Sequence, residues 1–451
     1  MKKTALCLAL LGLLALGGQA LAVICAIDEV PAATLLLPYF AVDYTSADGS
    51  GQNTLFSINN ASATAVLAHV VVWSDLSVPV LDFNVYLTGY DVQTINLWDI
   101  LAKGNLPQTA SAGQDSGDKI SPKGSFSQDI NFASCSGLLP PPQLPADFVA
   151  HLQNSLSGRA SAVFGGQCAG RNLGDNIARG YITVDTVNNC TLRFPSDPGY
   201  FPNDATNQNV LWGDYYQVNS AANFADGNPL VHIEASATNP ETSIAGDYTF
   251  YGRYNQPTPW SAIDNREPLA TNFAARFLNG GPFSGGTDFI VWRDSKNSAV
   301  STVPFTCSAT NGRPAWFPLG QEGIVIFDEQ EHPQVPQQFP VSPQPQNPTL
   351  SPFPAETQST HVGGSALPVP FNFGWIYLDL NTTVSAAGAV NNPRDPAAAQ
   401  AFVTIRGTSQ GRFSVGYDAI HLDSACSVGS YTLTLPGANH TVPPGSITPA
   451  P

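Results

Sequence analysis

The densest pattern of alternating apolar and polar positions lies in residues 53–100. There Phe56 and Ile58 stand on either side of Ser57, and residues 66–73 form a β-branched run that is apolar on both faces. Period-two alternation, β-branched residues and intervening Asn, Gly and Pro are typical of antiparallel strands in a β-sandwich. The pattern therefore predicts a mainly β protein.

Strand patterns of the same kind continue along the rest of the chain. The first covers residues 35–44 and is interrupted by Pro38, which indicates an edge strand or a bulge. A second series begins near residue 230, with runs at 272–278 and 288–293 and further runs up to residue 435. We therefore expect two antiparallel β-sandwich domains, immunoglobulin-like, with a short helical insertion and long loops.

Two stretches depart from the strand pattern. Residues 102–177 are expected to be an insertion containing one helix at 146–157, where Phe148, Leu152 and Leu156 share a face. Residues 331–370 contain ten prolines, which predicts an extended, poorly packed excursion. The predicted division is a first sandwich at 23–225, a second at 226–436 and a flexible tail at 437–451.

The two halves share a spaced sequence frame, N-x6-N-x11-V-W-x-D. At a constant offset of 219 residues, Asn53, Asn60, Val72, Trp73 and Asp75 coincide with Asn272, Asn279, Val291, Trp292 and Asp294. Repeats of a structural unit leave this kind of self-similarity. The frame leads to the hypothesis of two related sandwiches, with Trp73 and Trp292 at equivalent strand positions.

The N-terminus has the composition of a secretory signal. Lys2 and Lys3 precede an apolar run, and Ala20-Leu21-Ala22 offers a small-x-small cleavage site, so residues 1–22 are a predicted signal peptide. Cys25 follows closely, but Ile24 stands where a bacterial lipobox requires a small residue. We expect a mature chain without a transmembrane anchor that is secreted, periplasmic or on the cell surface.

Charge and composition narrow the classes of partner. The chain has 18 Lys and Arg against 34 Asp and Glu, and removal of Lys2 and Lys3 leaves 16 against 34, a net charge of −18. An acidic surface opposes nucleic acid and permits Ca²⁺, although solubility alone also accounts for it. With 43% hydrophobic residues the chain can build a large core, which excludes general disorder.

Six cysteines remain once Cys7 leaves with the signal, and an even number in an oxidising compartment predicts up to three disulfides. The candidates are Cys25, Cys135, Cys168, Cys190, Cys307 and Cys426. Their spacing leaves 15 pairings open. Cys168 with Cys190 is the most local pairing, and Cys307 with Cys426 would tie the C-terminal half together.

One motif resembles a nucleophile elbow. Residues 407–411 match G-x-S-x-G, which makes Ser409 a speculative nucleophile. The residues after it alternate like another strand, whereas an elbow requires a helix there. A hairpin turn is therefore the favoured interpretation, and no catalytic residue is assigned.

Two classes of ligand, hard cations and sugars, match the chemistry of the other candidate side chains, which are loop carboxylates and tyrosines. Carboxylates cluster in two predicted loops, Asp43 with Asp48 and Asp328 with Glu329, and these are candidate ligands for structural Ca²⁺. Neither loop has an EF-hand pattern, so a solvated loop is the favoured interpretation of each. A sugar-stacking platform is conceivable at four tyrosines, although core packing is the simpler use: Tyr215, Tyr216, Tyr251 and Tyr254.

Several segments resemble those of secreted bacterial proteins of unknown function. They are VPAATLLLPYF, NTLFSINN, RGYITVDTVNNCTLRFP, NREPLATNFAARF and DFIVWRD. The strand rhythm is also similar to that of bacterial immunoglobulin-like modules. The resemblance implies export and a β fold but carries no activity or site.

The leading functional expectation is an exported, non-enzymatic binding or envelope-associated protein. One alternative is a secreted hydrolase of polysaccharide or ester substrates, using Ser409 or an unrecognised carboxylate pair. Another is a calcium-dependent carbohydrate-binding module. A glycan or an envelope component is the expected partner.

Overall fold

The computed structural model describes most of the chain between residues 30 and 422. The described residues are 30–110, 130, 132–235, 249–254, 264, 266, 269–294, 303–307, 317, 319, 323–333, 352–380, 400–410 and 412–422. The predicted signal peptide at 1–22, Cys25, Cys426 and the tail at 437–451 lie outside these residues.

The fold is mainly β with antiparallel sheets, as predicted. The strands of the first half are β1 (Thr34–Asp43), β2 (Gln52–Asn60), β3 (Val66–Ser74), β4 (Pro79–Leu87), β5 (Val92–Asn96), β6 (Ile177–Val187), β7 (Leu211–Trp212), β8 (Asp214–Asn219), β9 (Phe224–Pro229) and β10 (Val231–Ile233). Those of the second half are β11 (Asn272–Leu278), β12 (Gly286–Asp294), β13 (Gly323–Asp328), β14 (Thr357–His361), β15 (Phe373–Asp379), β16 (Gln400–Thr408), β17 (Ser414–Asp418) and β18 (Ile420–His421).

The strands form four sheets. Sheet A has the order β5-β2-β8-β9 with β7 also on β2, and sheet B has the order β10-β1-β6-β3-β4. Sheet C has the order β14-β12-β16-β17, and sheet D has the order β13-β15-β11-β18. Phe56 of sheet A and Val70 of sheet B share one core, while Phe273 of sheet D and Val403 of sheet C share another. The sheets therefore pack as two sandwiches.

Sheet B is buried on both faces. Val70 and Val72 point into the first core, whereas Val71 and Trp73 point the other way, into a cluster that includes Trp292 of sheet C. This explains why residues 66–73 are apolar on both faces. Sheets B and C are thus the inner sheets, and sheets A and D are the outer ones.

The predicted helix is present as α1, Ala146–Leu156. Leu152 and Leu156 are buried and join the first core, which is the contact that an amphipathic helix of this length needs in order to be stable. The helix begins after Pro145 and is followed by Gly158 at φ +72°, as its sequence signals predict.

Two details of strand pairing refine the sequence expectations. The register of β1 against β6 shifts between Leu37 and Phe40, so Pro38 marks a bulge, in a strand flanked on both sides by β10 and β6. The second sandwich was expected to begin at residue 226, which lies inside β9 and before β10. These two strands pair with β8 and β1, so they belong to the sheets of the first sandwich.

The expectation of a poorly packed excursion at 331–370 is wrong for residues 352–370. These residues contain strand β14, which pairs with β12 at the edge of sheet C. Phe353, Val362 and Leu367 are at most 1% exposed and join the second core. Large apolar residues placed between the prolines anchor this segment, and proline content alone did not reveal them.

The same six-strand framework occurs in both halves. Strands β2, β3, β4, β5, β6 and β8 correspond in chain order to β11, β12, β14, β15, β16 and β18. In each half the first strand pairs with the fourth and sixth, and the second pairs with the third and fifth. Trp73 faces Pro79, and Trp292 faces Thr357, each the first residue of the third framework strand. The topology therefore supports the repeat hypothesis.

The frame asparagines have matching hydrogen bonds. The side-chain amide of Asn60 donates to the Thr88 carbonyl at 2.9 Å, and that of Asn279 donates to the Val362 carbonyl at 3.0 Å. Each acceptor is the residue directly after the third framework strand. Both asparagines thus tie a sheet-to-sheet crossover to an edge strand.

Two disulfides lie within the described residues, Cys135–Cys190 and Cys168–Cys307. The expected pairings of Cys168 with Cys190 and of Cys307 with Cys426 are therefore wrong. A backbone bridge between Cys168 and Phe305 brings the segment around Cys307 beside Cys168, 139 residues earlier in the chain. Sequence separation gave no indication of this contact.

Candidate functional site

Ser409 lies in a tight turn between two paired strands. Its backbone N–H donates to the carbonyl of Phe413 at 2.9 Å, and its side chain is buried. Strand β17 follows the motif and pairs with β16, so the predicted hairpin is confirmed. The segment lacks the helix that an elbow uses to present its serine.

The carboxylates predicted as calcium ligands make local hydrogen bonds. Asp43 accepts from the backbone and hydroxyl of Thr45 at 3.0 and 2.7 Å, and Asp328 accepts from the backbone of His332 at 2.8 Å. Asp48 lies in a turn at φ +50°, and Glu329 accepts from Gln330. Within the described residues, no three His, Cys, Asp or Glu side chains are grouped to hold a metal ion.

A buried ionic cluster lies between the two sandwiches. The Arg253 guanidinium is 3.3 Å from both the Asp294 and Glu356 carboxylates, and the three side chains are at most 3% exposed. Together with Trp73, Tyr181, Phe250 and Trp292, the cluster lines a small pocket with room for about one water molecule.

Glu356 is the most perturbed acid of this pocket. Burial raises its pKa to about 8, with Asp294 adding to the effect and Arg253 opposing it. Glu356 is therefore mostly protonated at pH 7, and its Oε1 has no hydrogen-bond partner among the described residues. The ring faces around it are largely occupied, because Trp73 stacks on Tyr181 and on Tyr254. The cluster fits a joint between sandwiches better than an open ligand site.

The four candidate tyrosines do not form one platform. Tyr215 and Tyr251 are 3% and 2% exposed, and Tyr254 packs in the joint beside Arg253. Tyr216 is 49% exposed and lies on the outer face of sheet A. Core packing therefore accounts for three of them, and Tyr216 is the most exposed of the four.

The outer face of sheet A presents two exposed aromatic side chains on either side of a carboxylate. Trp212, Asp214 and Tyr216 alternate with inward-facing residues along β7 and β8, and Trp212 is 42% exposed. At about 3.3 Å per residue the two rings are about 13 Å apart along the strand. We call this surface the Trp212 face; its residues are Ser57, Asn59, Val92, Trp212, Asp214 and Tyr216.

A hydrogen-bonded row crosses the Trp212 face. The Asn59 amide donates to the Ser57 hydroxyl at 3.0 Å, and that hydroxyl donates to Oδ1 of Asp214 at 2.7 Å. Side chains held in such a row keep fixed positions, which lowers the entropic cost of using them in binding.

Two glycines fix the aromatic end of the face. A Cβ on Gly213 would lie 2.2 Å from the Ser57 carbonyl oxygen, so only glycine fits between Trp212 and Asp214. A Cβ on Gly227 would lie 2.6 Å from the Tyr216 ring, which shows that the ring lies across β9. The ring is thus supported from below and keeps one face towards solvent.

Sequence reasoning identified the strands here but missed most of the face. Tyr216 was predicted as a platform candidate, while Trp212, Asp214, Ser57 and Asn59 were not singled out. The available signal was the alternation W-x-D-x-Y in WGDYY, which places two aromatic side chains and a carboxylate on one face of a strand.

Comparisons with known proteins give no relative for this fold or face. No protein-family model matches the chain, no curated protein matches it, and no solved structure matches it. Among the described residues, none of the helices has the length and apolar character needed to cross a bilayer.

Proposed function

We propose that the protein is an exported, non-enzymatic binding protein that holds a carbohydrate chain across the Trp212 face. The observation that carries the proposal is the exposure of Trp212 and Tyr216, 42% and 49%, on one face of a sheet with Asp214 between them. Two exposed aromatic rings aligned on one face of a sheet form the kind of surface that can pack against a ligand.

A carbohydrate suits the mixture of groups on this face. Sugar rings present apolar C–H faces that pack on flat aromatic rings, and their hydroxyls bond to polar side chains. Ser57 and Asp214 lie between the two rings and supply such polar groups. The surface is shallow and elongated, so an extended chain fits it better than a small molecule that needs enclosure.

The sequence and the disulfides support the export part of the proposal. Residues 1–22 read as a signal peptide, and Cys135–Cys190 and Cys168–Cys307 are bonds that persist in oxidising compartments. Both features support a location outside the cytoplasm, where glycans of cell envelopes and matrices are available. A net charge of −18 favours neutral over anionic glycans.

A second candidate function rests on the Glu356 and Asp294 carboxyls. Two acids in an aromatic pocket, one with a raised pKa, match the chemistry of glycoside hydrolysis. Both acids contact Arg253, however, and both are at most 3% exposed, which leaves a substrate little access. If the wild type hydrolyses a polysaccharide and Glu356→Gln binds it without hydrolysing it, glycoside hydrolysis is favoured over a purely structural role for this cluster.

The calcium-dependent alternative has a direct thermal test. Tight binding of Ca²⁺ to the native state raises the melting temperature. A melting temperature that is equal in EDTA and in millimolar Ca²⁺ would remove this alternative.

The binding proposal is tested with two alanine variants. The mature protein is titrated with soluble β-linked oligosaccharides, and Trp212→Ala and Tyr216→Ala are compared with it. Each variant should weaken binding about tenfold or more, since truncating an aromatic contact at a binding surface typically costs over 1 kcal/mol.

The matched control is Phe373→Ala, an aromatic residue 43% exposed on the other outer sheet. This variant should bind as the wild type does. Equal affinity for Trp212→Ala and the wild type, or an equal loss in the Phe373 control, would rule out the Trp212 face as the binding surface.

A further inference from the structure

Asp214 is the one charged side chain among the residues of the Trp212 face. Its neighbours on the sheet are uncharged: Trp212 and Tyr216 along the strand, and Ser57 and Pro229 across it. Within the described part of the chain, no ion pair includes Asp214. The protein therefore places a carboxylate between two exposed rings without supplying a cation beside it.

The two carboxylate oxygens of Asp214 differ in what they contact. Oδ1 accepts from the Ser57 hydroxyl at 2.7 Å, which holds the side chain in place. Oδ2 accepts no hydrogen bond from any described residue, and it reaches solvent because Asp214 is only half-buried. One oxygen thus orients the carboxylate, and the other is open to a ligand.

The aromatic rings on each side of Asp214 also attract positive charge. Each ring belongs to a residue two positions away, about 7 Å along the strand. An ammonium group between the carboxylate and a ring therefore comes within the roughly 6 Å at which ring faces attract cations. The net charge of −18 adds an attraction of the same sign at longer range. The carboxylate, the rings and the overall charge all favour a cationic group.

We infer that the Trp212 face selects glycans that carry free amino sugars, in which a protonated amine takes the place of a hydroxyl. The amine pairs with Oδ2 of Asp214, while the sugar rings pack on Trp212 and Tyr216. A neutral hydroxyl can donate to the same oxygen, but it leaves the carboxylate charge uncompensated and has no positive charge for the ring faces. The inference rests on the proposed binding function and specifies its ligand.

The test compares three tetrasaccharides that share the same β-1,4 backbone. They are the tetramers of glucosamine, of glucose and of N-acetylglucosamine, each titrated calorimetrically into the mature protein at fixed salt and about pH 5.5, where the sugar amine carries its proton. The glucosamine tetramer should bind about tenfold more tightly than either of the others, because it adds an ion pair and a cation–π contact. Equal affinities for the glucosamine and glucose tetramers, or tighter binding of the acetylated tetramer, would overturn the inference.

Two variants separate the Asp214 carboxylate from the overall negative charge. Asp214→Asn keeps an oxygen that can accept from Ser57, and it should bring the affinity ratio between the glucosamine and glucose tetramers close to one. Glu329→Gln removes a carboxylate from an exposed turn of the second sandwich and should keep the wild-type ratio. An undiminished ratio in a folded Asp214→Asn protein, or an equal loss in both variants, would overturn the assignment to Asp214. If Asp214→Asn does not fold, the wild-type ratio still decides.

The remaining outcomes separate the ligand class from the platform. Tetralysine carries ammonium groups but no sugar rings, so tighter binding of tetralysine than of the glucosamine tetramer would overturn the inference in favour of a basic peptide. Binding of all three tetramers with similar affinity, lost in Trp212→Ala, would retain the carbohydrate platform and refute the selectivity for amines. Absence of binding for every tetramer would refute the proposed function itself.

Discussion

The buried Glu356 carboxyl should make the stability of the protein depend on pH. Its ordinary pKa of 4.5 rises to about 8 in the folded state, so folding retains a proton that the unfolded chain releases in this range. The stabilisation is complete below pH 4.5 and is lost progressively as the pH rises to 8. For a single group with these values, the free energy of unfolding falls by about 3.5 kcal/mol between pH 5 and pH 8.

Glu356→Gln isolates this contribution. The glutamine amide resembles the protonated acid in shape, and its oxygen can still accept from Arg253, which contacts Glu356 at 3.3 Å. At pH 5 the variant and the wild type should have similar stability. At pH 8 the variant should be more stable by about 3 kcal/mol, because it has no proton to lose.

The assay is urea unfolding followed by tryptophan fluorescence at pH 5, 6, 7 and 8, with disulfides intact. Asp82, Asp226, Glu234 and Asp418 also have pKa values raised by burial, and burial lowers the pKa of His151, so these groups add a pH dependence that both proteins share. Subtracting the free energy of unfolding of the wild type from that of Glu356→Gln at each pH removes this shared pH dependence. Glu329→Gln, at an exposed turn, serves as the control and should follow the wild type. Parallel stability curves for the wild type and Glu356→Gln would refute a raised pKa at Glu356.

Two further predictions concern the framework. Peptide mapping without reduction should recover Cys135 linked to Cys190 and Cys168 linked to Cys307. Replacing both Cys168 and Cys307 by serine should lower the free energy of unfolding by about 3–5 kcal/mol. Recovery of Cys168 bound to Cys190 would contradict the fold. Asn60→Ala and Asn279→Ala should each lower the free energy of unfolding by about 1–3 kcal/mol, because the hydrogen bonds to the Thr88 and Val362 carbonyls are lost. The control Asn188→Ala, at an exposed position, should lower it by about 0.5 kcal/mol or less. A cost at one asparagine alone, measured by the same urea titration, would contradict their equivalence.

Local pattern was sufficient for much of the fold. Residues 66–73 and helix α1 were predicted because their periodicity is set by the face each segment buries, and burial on both sides of sheet B made that signal strong. The N-x6-N-x11-V-W-x-D frame also pointed to structural equivalents, because each asparagine holds a crossover that both halves share.

The local sequence pattern did not predict contacts between segments that are distant along the chain. The Cys168–Cys307 bond depends on a bridge from Cys168 to Phe305, and β14 depends on anchors hidden among prolines. The Trp212 face combines Asn59 of β2, Val92 of β5 and Trp212 of β7, which only the pairing of three strands brings together. The raised pKa of Glu356 likewise arises from burial between two sandwiches.

The strand that completes the two inner sheets has a different origin in each half. In sheet B the place beside β6 is filled by β1, which precedes the framework, and in sheet C the equivalent place beside β16 is filled by β17, which lies near its end. The two halves thus complete their inner sheets with strands from different places along the chain: β1 lies before the first framework strand, and β17 lies between the fifth and the sixth.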